Sequence, residues 1–93
     1  MKKYNFTGET KEISVENGTV TLYRIKATAT FGNIKSGDIG GWIEKEENLS
    51  HDGDAWVAGD AWVTGDARVT DNAWVAGDAR VTDNAQVTGN AKR

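Results

Sequence analysis

The sequence predicts an all-β protein in which a short, three-sided parallel β-coil follows a β-rich N-terminal segment. Three observations lead to this fold class: a six-residue period from Gly53 onward, a period of 18 residues laid over it, and an Asn17-Gly18 turn signal. Internal periods of this kind are typical of coiled repeat architectures. The predicted division is an N-terminal cap over residues 1–50 and a repeat region over residues 51–93.

The six-residue period holds alanine and valine in fixed register. Valine recurs at 57, 63, 69, 75, 81 and 87, and an alanine stands two residues before each of them. Residues two apart on a strand share a face, so each Ala-X-Val triplet directs Ala and Val inward and X outward. Gly-Asp or Asp-Asn pairs between the triplets supply the corners. Residues six apart do not fall on one face of a helix with 3.6 residues per turn, which excludes a helical alternative.

The 18-residue period sets the number of sides. Residues 56–73 and 74–91 match at 13 of 18 positions, so three hexads make one coil and the chain holds about two coils. Successive coils are expected to pair as parallel strands about 4.8 Å apart. This register predicts three outward columns: Trp56, Trp74 and Lys92; Trp62 and Arg80; Arg68 and Gln86.

The first half of the chain carries a hairpin signal. Asn17-Gly18 suits a type I′ turn, so we expect two antiparallel strands around it. Alternation from Thr21 to Phe31 predicts one long strand after the turn, and Trp42-Ile43 reads as an apolar plug. Repeat coils need capped ends, so we expect residues 1–50 to cap the first coil.

The repeat resembles the hexapeptide repeat of left-handed parallel β-helices, in which an aliphatic residue is followed four positions later by a small one, as in Val57 and Ala61. Residues 23–50 also resemble small β-helix proteins of bacteriophages and prophages, of which one branch is labelled a transferase on fold grounds. The resemblance implies a left-handed coil and a phage or prophage setting. The full fold prediction is a short left-handed parallel β-helix of about two coils with an N-terminal β-hairpin cap.

Composition excludes several classes. There is no cysteine for a disulfide or a thiolate metal site, and no apolar run approaches the ~20 residues of a membrane span. The start lacks the apolar stretch of a signal peptide, so we expect a cytoplasmic protein of a host bacterial cell. The net charge of −3 comes from residues 48–93, which argues against direct binding of nucleic acid.

The sequence offers little catalytic chemistry. His51 is the single histidine and lies among turn residues, which favours an exposed corner over a general base. We interpret the aspartates at the corners as turn caps rather than calcium ligands. We therefore predict a protein that is not an enzyme, with no catalytic residue, no cofactor and no metal.

The outward side chains point to interfaces. Large exposed aromatics and arginines mark contact surfaces, unless the N-terminal cap folds over them. The candidate partner-binding residues are Trp56, Trp62, Trp74, Arg68 and Arg80. An unpaired edge for self-association is predicted at Val87, Ala91 and Lys92. A row of carboxylates that could imitate phosphates comprises Asp54, Asp60, Asp66 and Asp78.

The functional prediction is a non-enzymatic, oligomeric interaction module encoded by a phage or prophage. Inhibition of a host defence system, such as an anti-CRISPR role, is one form of it. The expected partners are a second copy of the chain and a host protein, which could itself bind nucleic acid; membranes are not expected. The alternative is a structural or virion-associated β-helix spacer. An acyltransferase-like or carbohydrate-binding protein is the third hypothesis.

Overall fold

The structure is a computed structural model that describes residues 3–15, 18–89 and 92. Three longer strands come first, β1 (Tyr4–Val15), β2 (Gly18–Ala27) and β3 (Ile39–Ile43), followed by one 3₁₀ turn at Glu46–Asn48. Six two-residue strands follow: β4 (Trp56–Val57), β5 (Trp62–Val63), β6 (Arg68–Val69), β7 (Trp74–Val75), β8 (Arg80–Val81) and β9 (Gln86–Val87). This part of the chain contains no α-helix, which confirms the all-β prediction.

The short strands pair in parallel on three separate sides. β4 pairs with β7, β5 with β8 and β6 with β9. The partners Trp62 and Arg80 are 18 residues apart (80 − 62), and the other two pairs have the same separation. An isolated parallel bridge joins Trp74 to Lys92. The three predicted outward columns are therefore confirmed.

The core and the corners follow the six-residue period. Val57, Val63, Val69 and Val75 are fully buried, as expected for inward-facing positions. Between the strands, one residue in six adopts the left-handed backbone conformation, and five of these seven corner residues are glycine. Asp71 and Asp83 occupy the same place with φ of 60°. Aspartate tolerates this conformation better than most side chains, so the corner survives without glycine.

The N-terminal hairpin forms, but its second strand is shorter than predicted. β1 pairs with β2 in antiparallel register from Tyr4↔Ala27 to Val15↔Gly18, and Glu16 and Asn17 lie outside the described residues. β2 ends at Ala27 instead of continuing to Phe31. The reason is that Ala27 bonds to the returning chain, with its N–H donating to Asp38 O and its carbonyl accepting from Gly37 N. The chain therefore turns back after Ala27.

The region predicted as an apolar plug is a strand of an additional turn of the coil. β3 pairs in parallel with β5 through Trp42↔Trp62 and Ile43↔Val63, and Leu49 bridges to Val69. These partners are 20 residues apart (62 − 42). The resulting five-stranded sheet has the order β1-β2-β3-β5-β8, so the sheet continues across the predicted boundary at residue 50.

The two extra residues of this turn lie in one corner. The chain uses eight residues from Leu49 to Val57 (57 − 49), whereas the next coil uses six from Val69 to Val75 (75 − 69). The longer corner contains His51. No helix of the described residues is long and apolar enough to cross a membrane.

Candidate functional site

The outer face of the five-stranded sheet carries a column of cations and tryptophans. Arg24, Trp42, Trp62 and Arg80 are neighbours in register on β2, β3, β5 and β8. The Arg80 guanidinium lies 4.4 Å from the Trp62 ring centroid, and that of Arg24 lies 5.1 Å from Trp42. The Lys11 ammonium lies over both rings, 4.6 Å from Trp42 and 5.5 Å from Trp62. We call these five residues the cation–tryptophan face.

The cations of this face lack carboxylate partners within the described part of the chain. Lys11, Arg24 and Arg80 form no ion pair there, and Arg24 Nε donates a hydrogen bond to Gly40 O at 3.1 Å. The indole N–H groups of Trp42 and Trp62 are buried and have no hydrogen-bond acceptor. The face therefore combines unpaired positive charge with unsatisfied donors.

Acidic corners border the cation–tryptophan face on both sides. β5 lies between the corners of Asp60 and Asp66, and β8 lies between those of Asp78 and Asp83. Asp66 accepts a hydrogen bond from Lys45 Nζ at 2.8 Å. This hydrogen bond and the lysine charge lower the pKa of Asp66 and raise that of Lys45. The positive face is therefore a narrow stripe between negative edges.

Trp56 is covered by the N-terminal cap. Its side chain is 1% exposed and packs edge-on against Phe31 and Tyr4, with ring centroids 5.5 and 6.5 Å away. A Cβ added at Gly40 would lie 2.7 Å from the Trp56 ring, so glycine is required for this close packing. The predicted register of Trp56 is confirmed, but the cap leaves it no surface with which to bind a partner.

Trp74 lies half-buried in a cleft of about 390 Å³, on the side formed by β4 and β7. Its lining residues are Gly32, Asn33, Asp54, Asn72, Trp74 and Lys92. The cap segment and the repeats therefore build this cleft together. An aromatic ring beside amide, carboxylate and ammonium groups can hold a small polar molecule.

His51 joins the N-terminal strand to the longer corner. The Lys3 backbone N–H donates to its Nδ1 at 3.1 Å, and its Nε2 lies 2.8 Å from Glu46 Oε2. Because Nδ1 accepts, the neutral ring carries its proton on Nε2 and donates it to Glu46. The ring also stacks on Tyr4 with centroids 4.2 Å apart. Both nitrogens are engaged, so His51 has no free lone pair with which to accept a substrate proton.

Lys3 and Tyr4 are anchored beneath this corner. The Lys3 ammonium donates to Gly53 O and Ala55 O, at 3.1 and 2.7 Å. Burial lowers the pKa of Lys3 to about 8, with the nearby Asp54 and Asp52 charges opposing the shift. The Tyr4 hydroxyl lies 2.7 Å from the carbonyl oxygens of Glu46 and Leu49. Burial, and secondarily the Glu46 charge, raises the pKa of Tyr4.

A second cleft, of about 410 Å³, opens beside His51. It is lined by Glu46, Glu47, Leu49, Ser50, His51, Arg68 and Thr70. Arg68 therefore belongs to this cleft and not to the cation–tryptophan face. The five predicted partner-binding residues therefore do not form one surface. Trp56 is buried, Trp74 is half-buried in the first cleft and Arg68 is exposed at the second. Only Trp62 and Arg80 lie together.

The remaining predicted residues are dispersed. Asp54, Asp60, Asp66 and Asp78 are exposed at separate corners, and their role as phosphate mimics stays a prediction. Val87 is buried and Lys92 is exposed, whereas Ala91 lies outside the described residues. In the described part of the chain no three His, Asp or Glu side chains come together in a way that could hold a metal ion.

Sequence reasoning missed three members of the cation–tryptophan face. Trp42-Ile43 has the same aromatic-aliphatic form as the Trp-Val strands, which is the signal that could have placed Trp42 above Trp62. The alternating directions of side chains along β2 could then have placed Arg24 on the same face. Lys11 could not, because its position depends on how the hairpin curves over the sheet.

Comparison with known proteins identifies a similar curated protein. No protein-family model matches the chain. The chain is similar to a curated protein of Escherichia coli (strain K12) described as the uncharacterized acetyltransferase YdcK, with 36% identity over 61 residues. The match covers 61% of this chain and 19% of that protein. The chain therefore spans about a fifth of the length of this relative.

This similarity overturns the prediction that the protein is not an enzyme. The relative is described as an uncharacterized acetyltransferase, so the prediction of a non-enzyme does not stand. The prediction relied on His51 being a lone corner histidine and on two coils offering too little wall for an acyl donor.

Proposed function

We propose that this chain is a left-handed parallel β-helix of the hexapeptide-repeat type that acts as a protein-interaction module through the cation–tryptophan face. Support for the β-helix comes from parallel ladders on three sides, inward valines and a left-handed corner residue in every hexad. The left hand rests on the hexapeptide resemblance, in which pairs such as Val57 and Ala61 occupy the motif positions. Partner binding is compatible with acyl transfer elsewhere on the molecule.

The observation that carries the interaction proposal is the unpaired state of this face. Arg80 is exposed and stacked on Trp62, and neither it nor Lys11 or Arg24 has a carboxylate partner among the described residues. Tryptophan and arginine are the residue types that most often dominate binding energy at interfaces.

The biological setting is a further part of the proposal. A phage or prophage inhibitor of a host defence system would use such a face against a host protein, and a virion spacer would use it for assembly.

Self-association along the edge of Val87 and Lys92 is also proposed. A sedimentation measurement of mass against concentration tests self-association, and a concentration-independent monomer would contradict it.

A matched pair of variants tests the interaction. Arg80→Gln removes a cation from the face, and Arg68→Gln makes the same change on another side, where Gln86 already occupies the aligned position. Proteins captured from bacterial lysate would be quantified by mass spectrometry and then tested again in purified form. We expect capture to survive Arg68→Gln and to fall with Arg80→Gln. Equal capture by all three proteins would refute the proposed face.

Acyl transfer is the second candidate function, favoured by the similarity to an acetyltransferase. The two clefts, beside Trp74 and beside His51, are the places where a donor could bind. Acetyl-CoA with mixed amine and hydroxyl acceptors is the probe, and free thiol is the readout. Protein-dependent thiol release would support this candidate. An unchanged rate in His51→Gln would place the chemistry away from His51, and no release would count against the candidate.

A further inference from the structure

We infer that the cation–tryptophan face binds a short acidic segment of a protein partner, a loop or tail that presents Asp or Glu carboxylates. The inference rests on the proposed interaction function and adds the chemistry of the partner. Three features of the face support it: how the cations are held, what they lack, and what surrounds them.

The cations are held in place before any partner binds. The Arg80 guanidinium is stacked 4.4 Å from the Trp62 centroid, and Lys11 is shared between the rings of Trp42 and Trp62. A guanidinium that lies over a ring can still direct N–H donors to a carboxylate. Side chains that are already ordered lose less entropy on binding, which favours affinity.

The face lacks negative charge and hydrogen-bond acceptors. Its three cations have no ion pair with any described residue, although the chain as a whole carries a net charge of −3. The indole N–H groups of Trp42 and Trp62 also have no acceptor, and Trp42 is only 6% exposed. Buried donors without acceptors are unfavourable. A carboxylate supplies the missing charge to Arg80, the exposed cation of the face.

The surroundings favour a short acidic segment over a nucleic acid. The corners of Asp60 and Asp78 border the face on one side, and those of Asp66 and Asp83 border it on the other. An extended phosphate backbone would lie across these carboxylates, whereas one or two acidic side chains fit the stripe between them. Single-stranded nucleic acids also need open ring faces for stacking. Cations cover the faces of both tryptophans.

The test is a titration followed through the indole N–H signals in two-dimensional NMR. The chain has 4 tryptophans, so each signal can be assigned and followed. The probe is a four-residue peptide with blocked ends, Gly-Glu-Gly-Glu, and the control peptide has Gln in place of Glu. An oligonucleotide of eight thymidines serves as the competing polyanion. The proteins are the wild type, Arg80→Gln and the matched control Arg68→Gln.

We expect the signals of Trp42 and Trp62 to move with the Glu peptide and not with the Gln peptide, while those of Trp56 and Trp74 stay in place. The Kd should rise about tenfold in Arg80→Gln, as for the loss of one charge-assisted pair, and remain unchanged in Arg68→Gln. Added salt should weaken the binding, because exposed charge pairs are screened.

Several results would overturn the inference. They are an absence of shifts with the Glu peptide, equal losses in the two arginine variants, or tighter binding of the oligonucleotide than of the peptide. The proposed interaction function can be judged separately. If lysate proteins are captured in an Arg80-dependent manner and the Glu peptide does not bind, the interaction stands and only the acidic chemistry of the partner fails.

Discussion

The same six residues, Gly-Asp-Ala-Arg-Val-Thr, occur at 65–70 and again at 77–82, and they lie in different surroundings. In the second copy, Arg80 stacks on Trp62 in the cation–tryptophan face. In the first copy, Arg68 pairs in register with Gln86 and lines the cleft beside His51. The local sequence is identical, so the difference comes from the residue that stands 18 positions away. In a coil, the role of an outward side chain is decided by its neighbours above and below.

The corner glycines of the two copies should differ most. Gly65 and Gly77 have φ of 65° and 64°, but a Cβ on Gly65 would lie 3.0 Å from Asp83 O, whereas one on Gly77 would meet nothing within 4 Å. Gly77→Ala should cost about 1–2 kcal/mol for the left-handed conformation alone. Gly65→Ala should cost roughly 1–3 kcal/mol more because of crowding. Urea unfolding measures both, and equal losses would show that the neighbouring coil does not constrain the corner.

The arginines should differ by less. Arg80→Gln removes a cation–π contact, so we expect the free energy of unfolding to fall by about 0.5–1 kcal/mol. Arg68→Gln should stay within about 0.5 kcal/mol of the wild type, as for an exposed surface change. Urea unfolding of the two variants side by side measures the difference. A larger loss in Arg68→Gln would mean that the stack does not stabilise the fold.

A ring placed under the first copy should make it resemble the second. Gln86→Trp puts an indole beside Arg68 in the register that Trp62 and Arg80 use. We expect the free energy of unfolding to rise by about 0.5 kcal/mol, at the low end for an exposed cation–π pair. Arg68→Gln in the Gln86→Trp background should remove the gain. If the gain persists without the arginine, burial of the indole explains it instead.

The aspartate of the first copy should show the smallest effect. Lys45 holds the pKa of Asp66 below its usual value through a hydrogen bond and its charge. Because the pKa is lower in the folded state, the pair stabilises the fold at pH values above the pKa of the unfolded chain. This stabilisation is lost as the pH falls through the folded-state pKa. Carboxyl NMR titration should show the pKa of Asp66 moving up in Lys45→Ala. An unchanged pKa would mean that the pair does not persist in solution.

The repeat region could be predicted closely from the sequence because the six-residue and 18-residue spacings determine its register. Valines six apart identified the inward positions, and the 18-residue match placed Trp62 above Arg80. Here every corner uses the same backbone conformation, so local rules are sufficient. The hairpin was predictable for a similar reason, since an Asn-Gly turn signal favours antiparallel pairing of the strands on either side.

The additional turn and the full cation–tryptophan face could not be predicted in the same way. The corner before Val57 has a different length, which removes the period that would reveal β3 as a strand of the coil. The positions of Lys11 and the covering of Trp56 depend on tertiary packing of the hairpin and of Phe31. No spacing in the sequence encodes those contacts.

The longer corner between Leu49 and Val57 also bears on how such a coil can change. The ladders on both sides of it keep their pairing although the corner holds two more residues than its counterpart. Insertions at a corner therefore leave the phase of the strands intact, whereas an insertion within a strand would turn valines outward. New loops can be grafted at corners without redesigning the core. Here the inserted stretch includes His51, which docks the N-terminal strand.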